Sequence, residues 1–209
     1  MQPDLLLALA GFAVAASFTP GPNNMMLAAS GATHGWRRTL AHAMGVALGF
    51  PVMVFAVALG LGEVFEQTPL LRDGMAWVGA GVMLWLAWRI ATAMPAAEPA
   101  TTSGDRTENK ARGRPLTFVE AAAFQWVNPK AWVMCVAVSA TYVSGAAPLR
   151  EAILVAAVFT LSGLGSTQAW TLFGAWIGQF LGRGARLRAF NIVMGALVAL
   201  SAAMLLIEG

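Results

Sequence analysis

Two short runs in the sequence place proline beside asparagine inside otherwise apolar stretches, and these residues have the chemistry to bind a polar ligand. The first run is Pro20, Gly21, Pro22 and Asn23, and the second is Asn128, Pro129 and Lys130. Proline lacks a backbone N–H and clashes with the preceding helical turn, so neither run favours a continuous helix. Asparagine followed by proline is typical of a helix N-cap and the first helical position. Each run therefore predicts two half-helices that meet within an apolar segment.

A half-helix that begins inside an apolar segment presents unpaired N–H groups and the positive end of its dipole. Lys130 adds a full positive charge about 20 Å into its segment, at 1.5 Å per helical residue, and an ionisable side chain at such a depth is usually functional. Together with Asn23 and Asn128, these groups predict a site for a small anion. Two plainer interpretations stay open: the prolines only kink helices, and Lys130 extends to the lipid headgroups.

The composition assigns these runs to a membrane protein. The 209 residues are 58% hydrophobic and 11% charged, whereas soluble domains carry about 25% charge. Cations lie in short gaps between apolar runs, which argues against a nucleic-acid-binding face. One cysteine and two histidines argue against a disulfide, a thiol electron carrier or a metal centre, and no cofactor is expected. Since six helical crossings use almost the whole chain, no separate catalytic domain is expected either.

Six transmembrane segments are predicted from the apolar runs. Their ranges are 5–31, 39–62, 74–94, 117–143, 152–181 and 189–207. The first segment begins with Asp4 rather than positive charge, which favours a retained span over a signal peptide. Nine cations occupy the loops after segments one, three and five: Arg37, Arg38, Arg106, Lys110, Arg112, Arg114, Arg183, Arg186 and Arg188. The opposite loops hold Arg72 and Arg150, so the positive-inside rule places both termini outside the cytoplasm.

A polar linker at 95–116 divides the chain into two three-helix halves, 1–94 and 117–209. Because three is odd, related halves would have opposite orientations in the membrane, as in many secondary transporters. The expected fold is an all-α polytopic membrane protein with six helices in two inverted repeats, the first helix of each repeat being broken at its proline and asparagine. Gly-x-x-x-Gly pairs at 45–49 and 174–178 predict close helix packing, which permits a homodimer without requiring one.

The two proline-containing runs, the linker and the segment count resemble the LysE/RhtB family of bacterial amino-acid exporters. The resemblance covers essentially the full length and rests on Thr19 to Asn23 and on Asn128 to Trp132. It implies an inner-membrane protein that exports an amino acid or a close derivative in exchange for protons. Many members carry a Pro-Gln pair near the end of the fourth span, where this chain has residues 139–142, Ser-Ala-Thr-Tyr. The substrate subgroup is therefore not identified.

An amino-acid substrate needs partners at both of its charged ends. The half-helix N-termini, the two asparagines and Lys130 would bind the carboxylate, and backbone carbonyls freed near Phe18, Thr19 and Trp126 would accept from the ammonium. Trp126 or Trp132 would add a cation–π contact, although a tryptophan at the membrane interface is the commoner case. The expected substrate-binding residues are Pro20, Gly21, Pro22, Asn23, Trp126, Asn128, Pro129 and Lys130.

Exchange for protons also requires a titrating group within the membrane. Lys130, Glu120 and His42 are the candidates, and for the last two the role of an ordinary polar residue at the membrane interface is the better interpretation. Hydroxyl and amide side chains at 162–171 make segment five the most polar of the six segments. These side chains would either line the transport pathway or form hydrogen bonds to other helices. Two alternatives to amino-acid export are export of another small solute or cation, and a lipid-handling role without transport.

Overall fold

A computed structural model describes residues 2–93, 113–144, 146–182 and 184–208, and these residues form helices without strands. The helices are α1 (Pro3–Phe18), α2 (Pro22–His34), α3 (Trp36–Ala56), α4 (Gly62–Gln67), α5 (Pro69–Ala91), α6 (Phe118–Phe124), α7 (Pro129–Tyr142), α8 (Pro148–Leu181) and α9 (Ala185–Glu208). A π-helical turn, Val57–Leu61, joins α3 to α4, and a 3₁₀ turn, Gln125–Val127, joins α6 to Asn128. Most of the predicted linker and Met94 lie outside the described residues.

Four helical stretches are long and apolar enough to cross a bilayer, namely Trp36–Gln67, Pro69–Ala91, Pro148–Leu181 and Ala185–Ile207. Helices α1 and α2 pass the same test as a pair, with a bend of 52° between them. The described residues thus contain up to five candidate spans. The ends of these spans lie within a few residues of the ends of the corresponding predicted segments. The predicted fourth segment contains α6 and α7, of 7 and 14 residues, each shorter than the roughly 20 residues a crossing needs. The chain is a polytopic membrane protein. A crossing by the predicted fourth segment, which would raise the total to six, stays a prediction.

Helix α8 runs beside the broken pair of helices α1 and α2. Near the centre of the bundle it donates two side-chain hydrogen bonds to carbonyls of α1. Ser162 Oγ donates to the Ala13 carbonyl at 2.9 Å, and Ser166 Oγ donates to the Ser17 carbonyl at 2.7 Å. In both pairs the residue numbers differ by 149. The polar face predicted on segment five is therefore used for helix–helix bonding.

Beyond the break, α8 packs against α2 through glycines. A Cβ on Gly174 would lie against the backbone of Ala28, and one on Gly178 against the backbone of Ala32. Here the residue numbers differ by 174 − 28 = 146. The offset falls by three across the break, so the chain from Ser17 to Ala28 uses three more residues than the stretch of α8 beside it, from Ser166 to Gly174. The single helix α8 therefore contacts both half-helices.

The second Gly-x-x-x-Gly pair makes an equally close contact between α3 and α6. A Cβ on Gly45 would lie 2.8 Å from the Ala121 Cβ, and one on Gly49 would lie 2.7 Å from the Ala122 Cα. Any larger residue would push the two backbones apart. The predicted close packing is confirmed for both glycine pairs.

Candidate functional site at the two helix breaks

The first predicted break is present between Phe18 and Pro22. Gly21 precedes α2 in an extended conformation, with φ −175° and ψ 176°, which any residue can adopt. A Cβ on Gly21 would lie 2.9 Å from Lys130 Cδ, so the glycine makes room for the lysine side chain. Asn24 Nδ2 donates to the carbonyls of Ser17 and Thr19 at 2.9 Å each. The chain thus pairs part of the backbone that the break exposes.

The second predicted break is present at the 3₁₀ turn between α6 and α7. Asn128 Oδ1 accepts from the Lys130 backbone N–H at 3.2 Å, and Pro129 is the first residue of α7. The predicted N-cap is therefore confirmed, and the cap already satisfies one of the amides that sequence reasoning left free for a ligand. The Trp126 carbonyl accepts from Trp132 Nε1 at 2.8 Å.

Lys130 joins the two breaks. Its Nζ donates to the Thr19 carbonyl at 2.9 Å and approaches the Pro20 carbonyl at 3.5 Å. The side chain is half-buried at the centre of the bundle rather than extended along the outside of α7. One expectation is wrong: the Thr19 and Trp126 carbonyls are not free for a ligand ammonium, because Lys130, Asn24 and Trp132 already donate to them.

A pair of side-chain amides makes a second connection between the breaks. Asn23 Nδ2 donates to Gln125 Oε1 at 2.8 Å, and Gln125 Nε2 donates back to Asn23 Oδ1 at 3.3 Å. Gln125 Nε2 also donates to the Ala121 carbonyl at 2.8 Å. The Gln125 side chain is 0% exposed. Sequence reasoning gave Gln125 no role, although a polar amide beside a predicted break in an apolar segment was the available signal.

Two cavities meet at Lys130. A central pocket of about 60 Å³ lies between the breaks, and a cleft of about 830 Å³ extends from them to the α4–α5 turn. Both are lined by Gly21, Pro22, Lys130 and Met134. The polar side chains of the central pocket are those of Ser17, Asn23, Asn24, Lys130, Ser166 and Thr167. Lys130 therefore lies where a solute in the cleft would enter the pocket.

Three aromatic rings line the cleft beside the lysine. Phe65 stacks on Trp132 with ring centroids 4.0 Å apart, and Trp126 contacts Trp132 edge to face at 6.3 Å. Phe65 belongs to α4, which follows the π-helical turn where Gly60 has φ +118°. A side chain rarely adopts that conformation. The turn therefore depends on Gly60 to place Phe65 over the second break.

The other two candidates for proton coupling lie away from Lys130. Glu120 accepts from Arg114 at 2.6 and 2.5 Å and forms a capping box with Thr117 at the start of α6. The hydrogen bond to this carboxylate raises the pKa of Arg114 above its ordinary value. His42 is 2% exposed, and neither ring nitrogen has a hydrogen-bond partner in the described structure.

The described residues include no group of three or more His, Cys, Asp or Glu side chains placed to hold a metal ion. Paired helix breaks in a bundle of membrane-spanning helices are typical of multi-pass solute transporters. The chain belongs to the LysE family, because the family described as LysE type translocator matches residues 14–209. It is therefore a transporter rather than an enzyme.

Similar proteins include cysteine/O-acetylserine efflux proteins of enteric bacteria. The chain is 31% identical to that of Salmonella paratyphi A over 175 residues, which cover 83% of this chain and 84% of the relative. Identity is 32% to the Salmonella typhimurium protein and 29% to the Escherichia coli O1:K1 protein over the same shares of each chain. No solved structure gives a significant match to the chain.

Proposed function

We propose that the protein exports an amino acid or a close derivative from the cytoplasm across the bacterial inner membrane, in exchange for protons and by alternating access. The family and the efflux proteins that resemble the chain support this function. The observation that carries it is the position of the Lys130 ammonium, which lies between the central pocket and the large cleft and bonds to the first break. By similarity to those efflux proteins, cysteine and O-acetylserine are the first substrates to test.

Substrate binding exchanges one set of hydrogen bonds for another. The Lys130 ammonium leaves the Thr19 carbonyl and pairs with the substrate carboxylate, a charge-assisted bond that is stronger than a bond to a neutral carbonyl. The Thr19 and Pro20 carbonyls then accept from the substrate ammonium in place of Lys130. Asn23 and the N-terminus of α2 complete the polar surroundings, and Trp126 lines the cleft. Asn128 lines neither cavity and acts through the cap that positions Lys130.

The bundle is organised as two inverted repeats, 1–94 and 117–209, joined by a cytoplasmic linker. Helices α6 and α7 together form the fourth crossing along the chain, which brings the total to six, just as α1 and α2 together form the first crossing. The glycine contacts favour this arrangement: those of α3 pack on α6, and those of α8 pack on α2. In each half the second span thus packs on the broken leading span of the other half, before the break for α6 and after the break for α2, and a swapped contact of this kind supports an inverted repeat.

The cation-rich loops lie in the cytoplasm and the α4–α5 turn lies outside, by the positive-inside rule. The large cleft therefore faces outward. On the opposite side of the central pocket, Met26, Val46 and Phe124 belong to one buried apolar cluster, which closes the route to the cytoplasm. The described conformation corresponds to the outward-facing state of alternating access.

Lys130, Glu120 and His42 remain the candidates for carrying the coupled proton. Lys130 alone of the three lines the central pocket. Glu120 is engaged in a helix cap and an ion pair, which favours a structural role for it. His42 lies beyond the apolar cluster on the proposed cytoplasmic side, lining a separate cavity.

Efflux of radiolabelled L-cysteine and O-acetyl-L-serine from reconstituted vesicles tests the function. Export should depend on a proton gradient and should fall about 10- to 100-fold in Lys130→Ala, since a hydrogen bond to a charged group contributes about 1.5–3 kcal/mol. Arg186→Ala, which removes an exposed cation of α9, is the control for altered charge and should export normally. Normal export by inserted Lys130→Ala protein would remove the lysine from the mechanism. Absence of efflux of both compounds from wild-type vesicles would contradict their export and favour one of the two alternatives, export of another small solute or cation or a lipid-handling role.

A further inference from the structure

A second, smaller cavity lies at the other end of the bundle from the large cleft. Its volume is about 60 Å³, and it is enclosed by α2, α3, α5 and the segment 113–116 that precedes α6. A buried water occupies about 10–15 Å³ on this measure, so the cavity has room for a group of a few heavy atoms. The size suits a carboxylate group.

The cavity contains a buried side chain that lacks hydrogen-bond partners. His42 lines it, is 2% exposed, and has no partner for either ring nitrogen in the described structure. A neutral imidazole carries one N–H donor and one acceptor, and buried polar groups in folded proteins are almost always paired. The two nitrogens of His42 therefore require a partner that the described side chains do not provide.

The charge around His42 identifies the kind of partner. The described lining includes Arg89, Arg114 and His34, and it includes no Asp or Glu. Glu120 is the nearby acid that interacts with His42 through charge, and Arg114 holds it in an ion pair. Arg89 bonds to the Arg114 carbonyl at 3.1 Å, an acceptor without a full charge. Among the described lining residues Arg89 is thus a cation without a carboxylate partner, which suits an anion.

The cavity lies on the same pair of helices as the central pocket. Helix α2 contributes Asn23 to the pocket and Ser30 to the cavity, while α3 contributes Ala47 to the pocket and His42 to the cavity. The apolar cluster that contains Met26 and Val46 lies between them, and Met26 also lines the cavity. A solute that passes along α2 and α3 would meet the cavity on one side of this apolar layer and the Lys130 pocket on the other.

We infer that the cavity around His42 is a second binding site for a small carboxylate, with Arg89 and His42 as its donors. On the proposed function, which this inference uses for orientation, it holds the carboxylate of the amino acid on the cytoplasmic side before the apolar layer opens. The carboxylate accepts from the Arg89 guanidinium, and the His42 ring, whose nitrogens are covered in the described structure, turns toward the cavity to donate its N–H. It then passes to Lys130, the next cation along the two helices.

The two histidines of the chain make this site directly observable. Replacing His34 by glutamine leaves His42 as the single imidazole of the 209 residues, so ¹⁵N-histidine labelling in lipid nanodiscs reports on one ring. Titration with L-cysteine under reducing conditions should shift both ring nitrogens of His42 in a saturable way. L-cysteine methyl ester, which lacks the carboxylate, should not shift them, and acetate should bind more weakly than L-cysteine.

Two variants separate this site from the Lys130 site. Arg89→Gln should weaken the titration at least tenfold, about the effect of losing one charge-assisted hydrogen bond, whereas Arg72→Gln in the large cleft should leave it unchanged. The shift should persist in Lys130→Ala. An absent shift, an equal response to the methyl ester, or loss of the response in Lys130→Ala would overturn the inference. The vesicle assay reports on export separately, so failure of export and failure of this site are distinguishable.

Discussion

The Lys130 ammonium donates to the Thr19 carbonyl at 2.9 Å, so this hydrogen bond joins the two helix breaks through residues that lie 111 positions apart in the chain. An unpaired ammonium inside a membrane bundle would be costly, and a carbonyl freed by a helix break also requires a donor. Each group satisfies the other when no ligand is bound. The site can therefore exist empty without leaving these two groups unpaired, and a ligand must compete with this bond in order to bind.

Replacing Gly21 by alanine should displace Lys130 without disturbing the fold. The new Cβ would lie 2.9 Å from Lys130 Cδ and 3.1 Å from Nζ, while the extended backbone of Gly21 suits alanine equally well. We expect export to fall about tenfold, the equivalent of about 1.4 kcal/mol, at an unchanged protein level in the membrane. Gly11→Ala on α1, where no atom lies within 4 Å of the new Cβ, is the matched control. Equal export by the two variants would contradict a requirement for the observed lysine position.

The amide pair of Asn23 and Gln125 should show strong energetic coupling. Gln125→Leu leaves the half-buried Asn23 amide without its partner, and we expect a loss of about 1–3 kcal/mol in the free energy of unfolding. The double variant Asn23→Leu/Gln125→Leu should lose less than the sum of the single variants. Denaturation in mixed micelles, followed by tryptophan fluorescence, measures both quantities. Gln67→Leu removes an exposed amide bonded to Glu63 and should cost little, whereas additive losses at positions 23 and 125 would show that the pair is not coupled.

A single methyl group on α8 should have opposite effects at two glycines. In Gly174→Ala the Cβ would lie 2.7 Å from the Ala28 Cα, so the helices must separate, at a cost of about 1–3 kcal/mol in unfolding free energy. In Gly165→Ala no atom lies within 4 Å of the Cβ, and the higher helix propensity of alanine should stabilise the protein by about 0.5–1 kcal/mol. The same micelle denaturation compares the two. Similar values for both variants would show that α2 and α8 are not in the described contact.

Glu120→Gln should retain proton-linked export. Glutamine preserves the capping box at the third position of α6, while the exposed ion pair with Arg114 contributes at most about 1 kcal/mol. Efflux should therefore respond to the proton gradient as in the wild type. Glu120→Ala removes the cap as well and should lower stability by about a further 1 kcal/mol. If Glu120→Gln exported without any dependence on the gradient, Glu120 would be the proton carrier.

The two breaks could be predicted because their cause is local. Proline at Pro20, Pro22 and Pro129 removes backbone donors wherever it occurs, and asparagine before Pro129 caps the helix that follows. Glycine spacing likewise predicted both helix contacts. These features depend on a few neighbouring residues, so the sequence contains them in full.

The partners across the breaks could not be predicted, because they depend on how distant segments pack. Nothing near Gln125 in the sequence indicates Asn23 as its partner, and nothing near Thr19 indicates that Lys130 donates to its carbonyl. The same holds for His42: a single histidine in an apolar helix gave no sign that both nitrogens lack a partner. The features of the site that the sequence did not reveal are thus hydrogen bonds between residues that are distant in the chain.

The glycine contacts between α2 and α8 restrict how the bundle can change shape. At Gly31, Gly174 and Gly178 the two backbones lie so close that no side chain fits between them, and sliding one helix along the other would drive Cβ atoms into carbonyl groups. We therefore expect these two helices to move together. On the proposed function, a hinge that opens the route to the cytoplasm would then separate them from α5 and α6, which border the apolar cluster of Met26.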